Sequence, residues 1–374
     1  MSDQEPRIGI IGCGVIAPAH IESYGGLPGV RVVALCDLKP ERMQAIRDKY
    51  PDLDAACFER YGDLLASGAV DAVSVCTDHA SHEEISLAAL KAGRHVLCEK
   101  ALTISTESLE RMLAAAGQAP RLVAAGILQH RFDPIFRALK GILEEGLLGQ
   151  ILTTSLQHNC LRTEAYYRED GWRGTWAGEG GSLLINQSIH FLDIQQWLMG
   201  GAASVQAHTA NLAHQGIIET EDTAAVSLSF RNGALGTFAA TSASHQNWNH
   251  AFQIVGTEGE LRLRDGQLTD CFHKDPDLEE RIARRLNIEE REGVEGAKVY
   301  YGSSHPAQIR DFIEAIREGH RPFVGFSEAA EPVRLVLGIY ESSRSGKRVD
   351  FQETTARMEN STTNHPNSAN RKDF

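Results

Sequence analysis

Two separated segments carry side chains that could move a proton while a hydride is transferred. The segment RHVLCEKA places Lys100 at the exit of an apolar run that is typical of a β-strand. The segment GGSLLINQSIHFLD places Asn186, His190 and Asp193 at spacings of four and three, which predicts one shared helix face. A histidine can accept a proton near neutral pH, and a lysine ammonium can polarise an oxygen that becomes a carbonyl.

A dinucleotide-binding signature comes first in the chain. RIGIIG at 7–12 has strand composition and leads through a G-x-G-x-x-A turn into a helix-like stretch. Glycines allow a tight turn and a close backbone approach to a pyrophosphate at a helix N-terminus. We therefore expect Gly12, Gly14, Val15 and Ile16 to bind a dinucleotide.

An acidic residue ends the second predicted strand, RVVALC, at Asp37. A carboxylate at that place can accept hydrogen bonds from a ribose 2′-hydroxyl and would repel a 2′-phosphate. The sequence therefore predicts NAD, although the nearby Lys39 keeps NADP as an alternative. The competing interpretation is a structural βαβ turn with a solvated aspartate.

Further cofactor contacts are expected where other strands of this sheet end. A Thr-Asp-His loop follows the strand-like run DAVSVC, at the sheet edge where open α/β folds bind ligands. We expect Thr77, His79, Glu99 and Lys100 to contribute to cofactor binding.

The segment LRTEAYYREDGWRGTW at 161–176 is dense in aromatic and arginine side chains. Aromatic rings stack on sugar faces, and arginine forks bind phosphate or carboxylate groups. This composition predicts a substrate-binding loop, and an aromatic clasp between domains is the alternative. The predicted substrate contacts are Arg162, Tyr166, Trp172, Arg173, His190 and Asp193, of which Asp193 is interpreted mostly as a supporting residue. Further candidates for the cleft are Arg131, Gln157 and His158.

Composition excludes several classes of protein. The 374 residues carry a net charge of −13, which argues against a nucleic-acid partner. Seven cysteines without a C-x-x-C pair indicate a reducing compartment. No signal peptide and no membrane span are expected, so we predict a cytoplasmic protein. No metal site is expected, because the closely spaced histidine pairs lack a cysteine or carboxylate pattern.

The elements that must position these residues fall into two predicted domains. Residues 1–125 alternate strand and helix signals, which predicts an α/β domain with a doubly wound parallel Rossmann sheet. Residues 126–352 contain runs of period-two alternation and an Arg-Asn-Gly turn at 231–233, which predicts an α+β domain with a large, mostly antiparallel open sheet. A charged helix is expected over 277–296, and a disordered tail over 353–374.

By these motifs the chain resembles the Gfo/Idh/MocA oxidoreductases, over about residues 7–350. The resemblance rests on the order and spacing of six segments: GCGVIAPAH, CDLKPERM, VCTDHASHEEISLAALKAGRHVLCEKAL, LQHRF, GGSLLINQSIHFLD and HPAQIRDFIEAI. It implies a Rossmann domain, a C-terminal domain with an open sheet, oligomerisation through that sheet, and NAD(P)-linked chemistry on sugars or polyols. The family's lysine falls on Lys100 and its catalytic histidine on His190. A homodimer or homotetramer is expected.

Two positions depart from the family pattern. Ala101 stands where the family usually has proline, so a trans peptide bond is expected there. Asn186 stands where many members have aspartate, and asparagine can orient His190 but cannot hold a positive charge on it. The amide resembles the subset that acts on sugar C3 hydroxyls, including nucleotide-sugar 3-dehydrogenases.

The expected function is hydride transfer between a nicotinamide cofactor and a secondary hydroxyl or ketone of a sugar, polyol or nucleotide sugar. His190 is favoured as the base and Lys100 as its electrostatic partner, with the reverse assignment as an alternative. A noncatalytic cofactor-binding regulator and an NAD-dependent glycosidase are the competing functions. Retention of both Lys100 and His190 argues against the regulator, and the absence of an export signal argues against the glycosidase.

Overall fold

The computed structural model describes residues 5–287 and 304–352, and the first of its two sheets is parallel. Its strands are β1 (Arg7–Ile11), β2 (Arg31–Cys36), β3 (Ala56–Phe58), β4 (Ala72–Val75), β5 (His95–Cys98) and β6 (Ala124–Gly126). They lie in the order β3-β2-β1-β4-β5-β6, which is the strand order of a Rossmann sheet. The predicted doubly wound parallel sheet is confirmed.

Helices cover this sheet because its central strands are apolar on both faces. Every residue of β4 is buried, and β1 and β5 are buried except at their first residues. The helices that follow these strands are α1 (Ala17–Gly25), α2 (Pro40–Lys49), α3 (Tyr61–Ala66), α4 (His82–Lys91), α5 (Thr106–Gln118) and α6 (Pro134–Glu144). Proline occupies the first turn of α2 and α6, where its missing N–H costs no intrahelical hydrogen bond.

The second sheet has eight strands in the order β13-β12-β11-β7-β10-β9-β8-β14. These strands are β7 (Ile151–Asn159), β8 (Ala202–Ala210), β9 (Thr223–Phe230), β10 (Leu235–Thr241), β11 (Asn249–Gly256), β12 (Gly259–Arg264), β13 (Gln267–His273) and β14 (Val349–Asp350). Only β7 and β10 pair in parallel, so the predicted mostly antiparallel sheet is confirmed. The predicted hairpin turn joins β9 to β10, with Gly233 at a φ of +88°.

One face of this second sheet is covered and the other is open. Along β9 and β10, residues such as Val226 and Phe238 are buried while Ser227, Leu235 and Ala239 are exposed. The helices of this half are α7 (Glu164–Arg168), α8 (Ile189–Leu198), α9 (Pro276–Leu286), α10 (His305–Glu318) and α11 (Phe326–Ser345). Contacts of α8 with β7 and of α11 with β8 cover the buried face.

Helix α10 packs against the helices of the first sheet although it comes late in the sequence. Its apolar residues Ile309, Phe312 and Ile313 share a buried cluster with Ile21 and Tyr24 of α1. This packing brings the beginning of α10 next to the end of the parallel sheet.

The predicted helix face shared by Asn186, His190 and Asp193 is wrong at its first residue. A π-helical turn, Leu183–Gln187, precedes α8, and Ser188 lies between the two. The wider turn changes the angular spacing, so Asn186 and His190 do not follow one α-helical face.

Two predictions fall wholly or partly outside the described residues. The charged helix over 277–296 is observed as α9 up to Leu286, and its residues beyond 287 lie outside the description. The tail at 353–374 lies outside it as well. Within the described ranges, no helix combines the length and apolarity that a membrane crossing requires.

Candidate active site

The glycine turn after β1 is shaped to admit a ligand. Gly12 has a φ of +93°, and a Cβ at this position would lie 2.5 Å from the carbonyl oxygen of Cys76. A Cβ at Gly14 would meet nothing within 4 Å, so the turn is open on that side. Val15 and Ile16 lead from this turn into α1. The turn lies where β1 separates β2 from β4, the switch point at which such sheets bind a dinucleotide.

Asp37 joins this turn to the end of β2. Its carboxylate accepts a hydrogen bond from the backbone N–H of Cys13 at 2.8 Å and another from that of Lys39 at 2.9 Å. Two carboxylate oxygens offer about four acceptor sites, so acceptor capacity is left for ribose hydroxyls. The open glycine turn and this fixed carboxylate fit the adenosine half of NAD.

Lys100 is held at the end of β5 by one residue of the π-helical turn. Its Nζ donates to the backbone oxygen of Asn186 at 3.1 Å and to the Oδ1 atom of the same residue at 2.8 Å. Burial lowers the pKa of Lys100, and the negative charge of Glu99 partly opposes that effect. An ammonium has three N–H donors, and these two contacts use two of them.

Asn186 hydrogen-bonds to Lys100 in this structure and not to His190. Its Nδ2 donates to Oε1 of Glu179, while its Oδ1 faces Lys100. The sequence-based expectation that Asn186 orients His190 is therefore not met. The cause is the π-helical turn, which carries residue 186 but not residue 190.

Glu179 is a site residue that the sequence analysis missed. It is fully buried, and its Oε2 accepts from the backbone N–H of Gly174 at 2.5 Å. Burial raises the pKa of Glu179 to about 7, and the nearby Glu221 carboxylate adds to that effect. Glu179 lies in a glycine-rich loop without regular structure, so no periodicity in the sequence pointed to it.

His190 is buried at the beginning of α8 among other imidazoles. One ring nitrogen, Nε2, lies 3.5 Å from the amide nitrogen of Gln129, and the ring of His130 packs edge-on at 5.0 Å. Burial lowers the pKa of His190 well below its ordinary value, and the charges of His130 and Lys100 act in the same direction. The imidazole is therefore neutral at pH 7 and has a nitrogen lone pair that can accept a proton.

Glu99 lies in a buried network that supports the Lys100 backbone. Its Oε1 is 3.0 Å from Nε2 of His20 on α1 and 3.5 Å from Nε2 of His305 on α10. Its Oε2 accepts from the backbone N–H of Lys100 at 3.1 Å. Both oxygens thus have protein partners, and the contact of Glu99 with the cofactor stays a prediction.

Two of the sequence-predicted cofactor residues line the edge of the parallel sheet. Thr77 follows β4, and its backbone N would lie 2.8 Å from a Cβ at Gly12. His79 is buried, its Nδ1 contacts the backbone oxygen of Glu179 at 2.9 Å, and burial lowers its pKa to about 3. Thr77 is therefore close to the glycine turn, and His79 is close to Glu179 in the Lys100 site.

Asp193, interpreted from the sequence mostly as a supporting residue, is paired with Arg131. Its carboxylate accepts two hydrogen bonds from Arg131, at 2.8 Å and 2.5 Å, and both side chains are buried. His158 is buried against Ser188, whereas its neighbour Gln157 is exposed on β7. Of the three further cleft candidates, Gln157 is excluded because it lies on the opposite face of the sheet from His158.

The aromatic and arginine segment at 161–176 folds back next to the π-helical turn. Gln187 accepts from Arg162 at 2.5 Å and donates to the hydroxyl of Tyr166 at 3.0 Å. The Arg173 guanidinium lies 4.2 Å from the centre of the Tyr166 ring, and the Trp172 ring packs 5.4 Å from that of His79. All four predicted substrate contacts of this segment are thereby brought to the edge of the Lys100 site.

The peptide bond between Lys100 and Ala101 is cis. The trans bond predicted at this position is wrong. The carbonyl oxygen of Ala101 lies 2.7 Å from Nδ1 of the buried His82.

Models of one oxidoreductase family match both halves of the chain. The NAD-binding Rossmann-fold model of the family matches residues 6–127, and its C-terminal alpha/beta-domain model matches residues 140–351. The match extends over both sheets described above.

Characterised proteins resemble this chain over most of its length. An inositol 2-dehydrogenase of Burkholderia cenocepacia is 27% identical over 84% of this chain and 86% of its own. A myo-inositol 2-dehydrogenase of Thermotoga maritima is 24% identical over 93% of this chain and 99% of its own. The crystal structure of the WlbA dehydrogenase of Bordetella pertussis, in complex with NADH and UDP-GlcNAcA, is 27% identical and superposes with a TM-score of 0.83. That alignment covers 94% of this chain and 99% of the other. The chain therefore belongs to the Gfo/Idh/MocA family of NAD-binding oxidoreductases.

Proposed function

We propose that this protein transfers a hydride between NAD and a secondary hydroxyl or ketone of a sugar, polyol or nucleotide sugar. The observation that carries the proposal is a Lys100 ammonium that Asn186 holds close enough to the buried His190 for its charge to act on that imidazole. Oxidation of an alcohol requires a base for the hydroxyl proton and a positive group for the developing oxyanion.

In this proposal His190 accepts the hydroxyl proton during oxidation and returns it during reduction. Lys100 directs its third N–H toward the same oxygen and stabilises the negative charge that develops there. The bound nicotinamide supplies the hydride acceptor or donor. Burial keeps the His190 imidazole neutral and able to act as a base, and no carboxylate among the described residues hydrogen-bonds to it.

Arg162, Tyr166, Trp172 and Arg173 form the substrate edge of the site in this proposal. Arg162 and Arg173 both lie over the Tyr166 ring, at 5.0 Å and 4.2 Å. This cluster of arginine and aromatic side chains suits a sugar that carries an acidic or phosphate-linked group. The relatives act on inositol in two cases, and WlbA was crystallised with a nucleotide-sugar acid.

We also propose a cytoplasmic, homo-oligomeric protein. All seven cysteines are free in the structure, as expected for a reducing compartment. Along β9 and β10, the open face of the second sheet carries mostly small, neutral side chains, which a second copy of the chain could cover.

The test is a panel of free sugars, inositols and UDP-sugars with NAD, followed by the absorbance of the reduced nicotinamide. We expect turnover with at least one member and a ketosugar product, with the ketone at C3 if the amide at position 186 marks the C3 subset. A protein that binds NADH but turns over no member in either direction would refute the proposed function.

A further inference from the structure

We propose that Glu179 is the positioning residue for Lys100, and that through the Asn186 amide it supplies a negative charge beside that lysine. This inference rests on the proposed function for its meaning, because it concerns the same lysine. Its evidence is the unbroken hydrogen-bonded chain from Gly174 through Glu179 and Asn186 to Lys100.

The donors and acceptors in this series of hydrogen bonds allow one orientation of the Asn186 amide. The Lys100 ammonium has only donors, so it must face Oδ1 of Asn186. The Glu179 carboxylate is an acceptor, so it must face Nδ2 of the same amide. Glu179 therefore fixes the amide, and the amide fixes Lys100.

Burial makes this negative charge effective at Lys100. Glu179 is fully buried, so the interaction with its neighbours is little screened by solvent. The other charged groups that act on Lys100 are Glu99, which favours the ammonium, and Arg162 and Arg173, which oppose it. Glu221 is the carboxylate whose charge acts on Glu179 itself, and its Oε1 accepts from the Tyr340 hydroxyl and from two backbone N–H groups.

Glu179→Gln breaks the chain of hydrogen bonds without changing the size of the side chain. The glutamine amide would offer one acceptor and one donor group where the Glu179 carboxylate offers two acceptors. The N–H of Gly174 and the Nδ2 of Asn186 both require acceptors, so one donor must lose its partner. If the Asn186 amide turned over instead, its NH₂ group would face the ammonium.

Exchanging the acid and the amide restores every hydrogen bond. In Glu179→Gln with Asn186→Asp, the glutamine oxygen accepts from Gly174 and its NH₂ donates to the new aspartate. The other aspartate oxygen then accepts from Lys100. The exchange also keeps a negative charge beside Lys100, so the protonation of that lysine should be recovered together with the rate.

The experiment compares the wild type, Glu179→Gln, the double exchange and Glu144→Gln. Glu144 is an exposed residue on α6 that pairs with Lys140 four positions earlier, so it controls for loss of a carboxylate. Single-turnover hydride transfer is measured together with the NADH dissociation constant. Trace acetylation of Lys100 against pH, quantified by mass spectrometry, reports the protonation of the lysine without requiring turnover.

We expect Glu179→Gln to lower kcat by about tenfold to a hundredfold, with KM and NADH affinity nearly unchanged. Loss of the nearby negative charge should also shift the acetylation midpoint of Lys100 to lower pH, by roughly one unit. The double exchange should recover most of both effects. Unchanged acetylation of Lys100 in Glu179→Gln, or a double variant no better than the single one, would overturn the proposal. Should the wild type turn over no substrate, the proposed function fails while the acetylation profiles still decide the role of Glu179.

Discussion

At the scale of single residues, burial sets the protonation of the candidate site. It lowers the pKa values of His190 and Lys100 and raises the pKa of Glu179 to about 7. A loss of rate on acidification through pH 7 is therefore expected from protonation of Glu179, because His190 is already neutral well below that pH. The rate of the Glu179→Gln variant should not show this loss on acidification through pH 7.

The pKa of Glu179 also has a consequence for stability. Its pKa in the folded protein, about 7, lies above the value of about 4.5 in the unfolded chain. The folded state then binds more protons, so this group lowers the free energy of unfolding as pH rises from about 4.5 to 7. The full difference corresponds to about 3 kcal/mol.

Urea unfolding of wild type and Glu179→Gln at pH 5 and pH 8 measures this effect. The variant has no carboxylate at position 179 that could titrate. Its free energy of unfolding, relative to that of the wild type, should therefore increase from pH 5 to pH 8. A relative stability that does not change with pH would show that Glu179 does not titrate as described.

Asp37 determines cofactor choice in this account, since its fixed carboxylate lies beside the glycine turn. We expect NAD to bind more tightly than NADP, and Asp37→Ser to narrow the difference by removing repulsion of the 2′-phosphate. Calorimetric titration of both cofactors provides the measurement. Tighter binding of NADP to the wild type would contradict this role.

At the scale of elements, the parallel strands and most helices could be predicted because their periodicity is local. The π-helical turn at Leu183–Gln187 could not, since a pattern of apolar residues does not reveal one extra residue in a turn. Glu179 and His305 were missed for a different reason. They act through contacts between loops or helix ends, and His305 reaches Glu99 across about two hundred residues of sequence.

The segment at 161–176 should control substrate choice. Arg162→Ala is expected to raise KM by roughly tenfold or more, because a charged hydrogen bond to substrate would be lost. Arg168→Ala is a matched control in the same segment, since that side chain is exposed and pairs with Glu164 one turn away. Equal KM values in both variants and the wild type would mean that the segment is only structural.

At the scale of the whole molecule, the open sheet is expected to form the interface between subunits. Leu235 is exposed on this face, and its strand partner is the exposed Thr153. Leu235→Lys should weaken the oligomer, because it would bury a charge without a partner. Leu212→Lys is the control, since Leu212 is similarly exposed but lies after β8, outside the strands. Sedimentation showing a ~41 kDa monomer for the wild type at micromolar concentration would contradict this interface.

The central claim is that Lys100 and His190 act on one substrate oxygen beside the nicotinamide. The direct measurement is single-turnover formation of reduced nicotinamide by wild type, Lys100→Ala and His190→Ala, with NADH affinity measured in parallel. We expect each substitution to lower the rate by about 10²–10⁴-fold, as for a positioned acid or base, while NADH affinity changes far less. Two variants that both keep near-native rates would contradict the account.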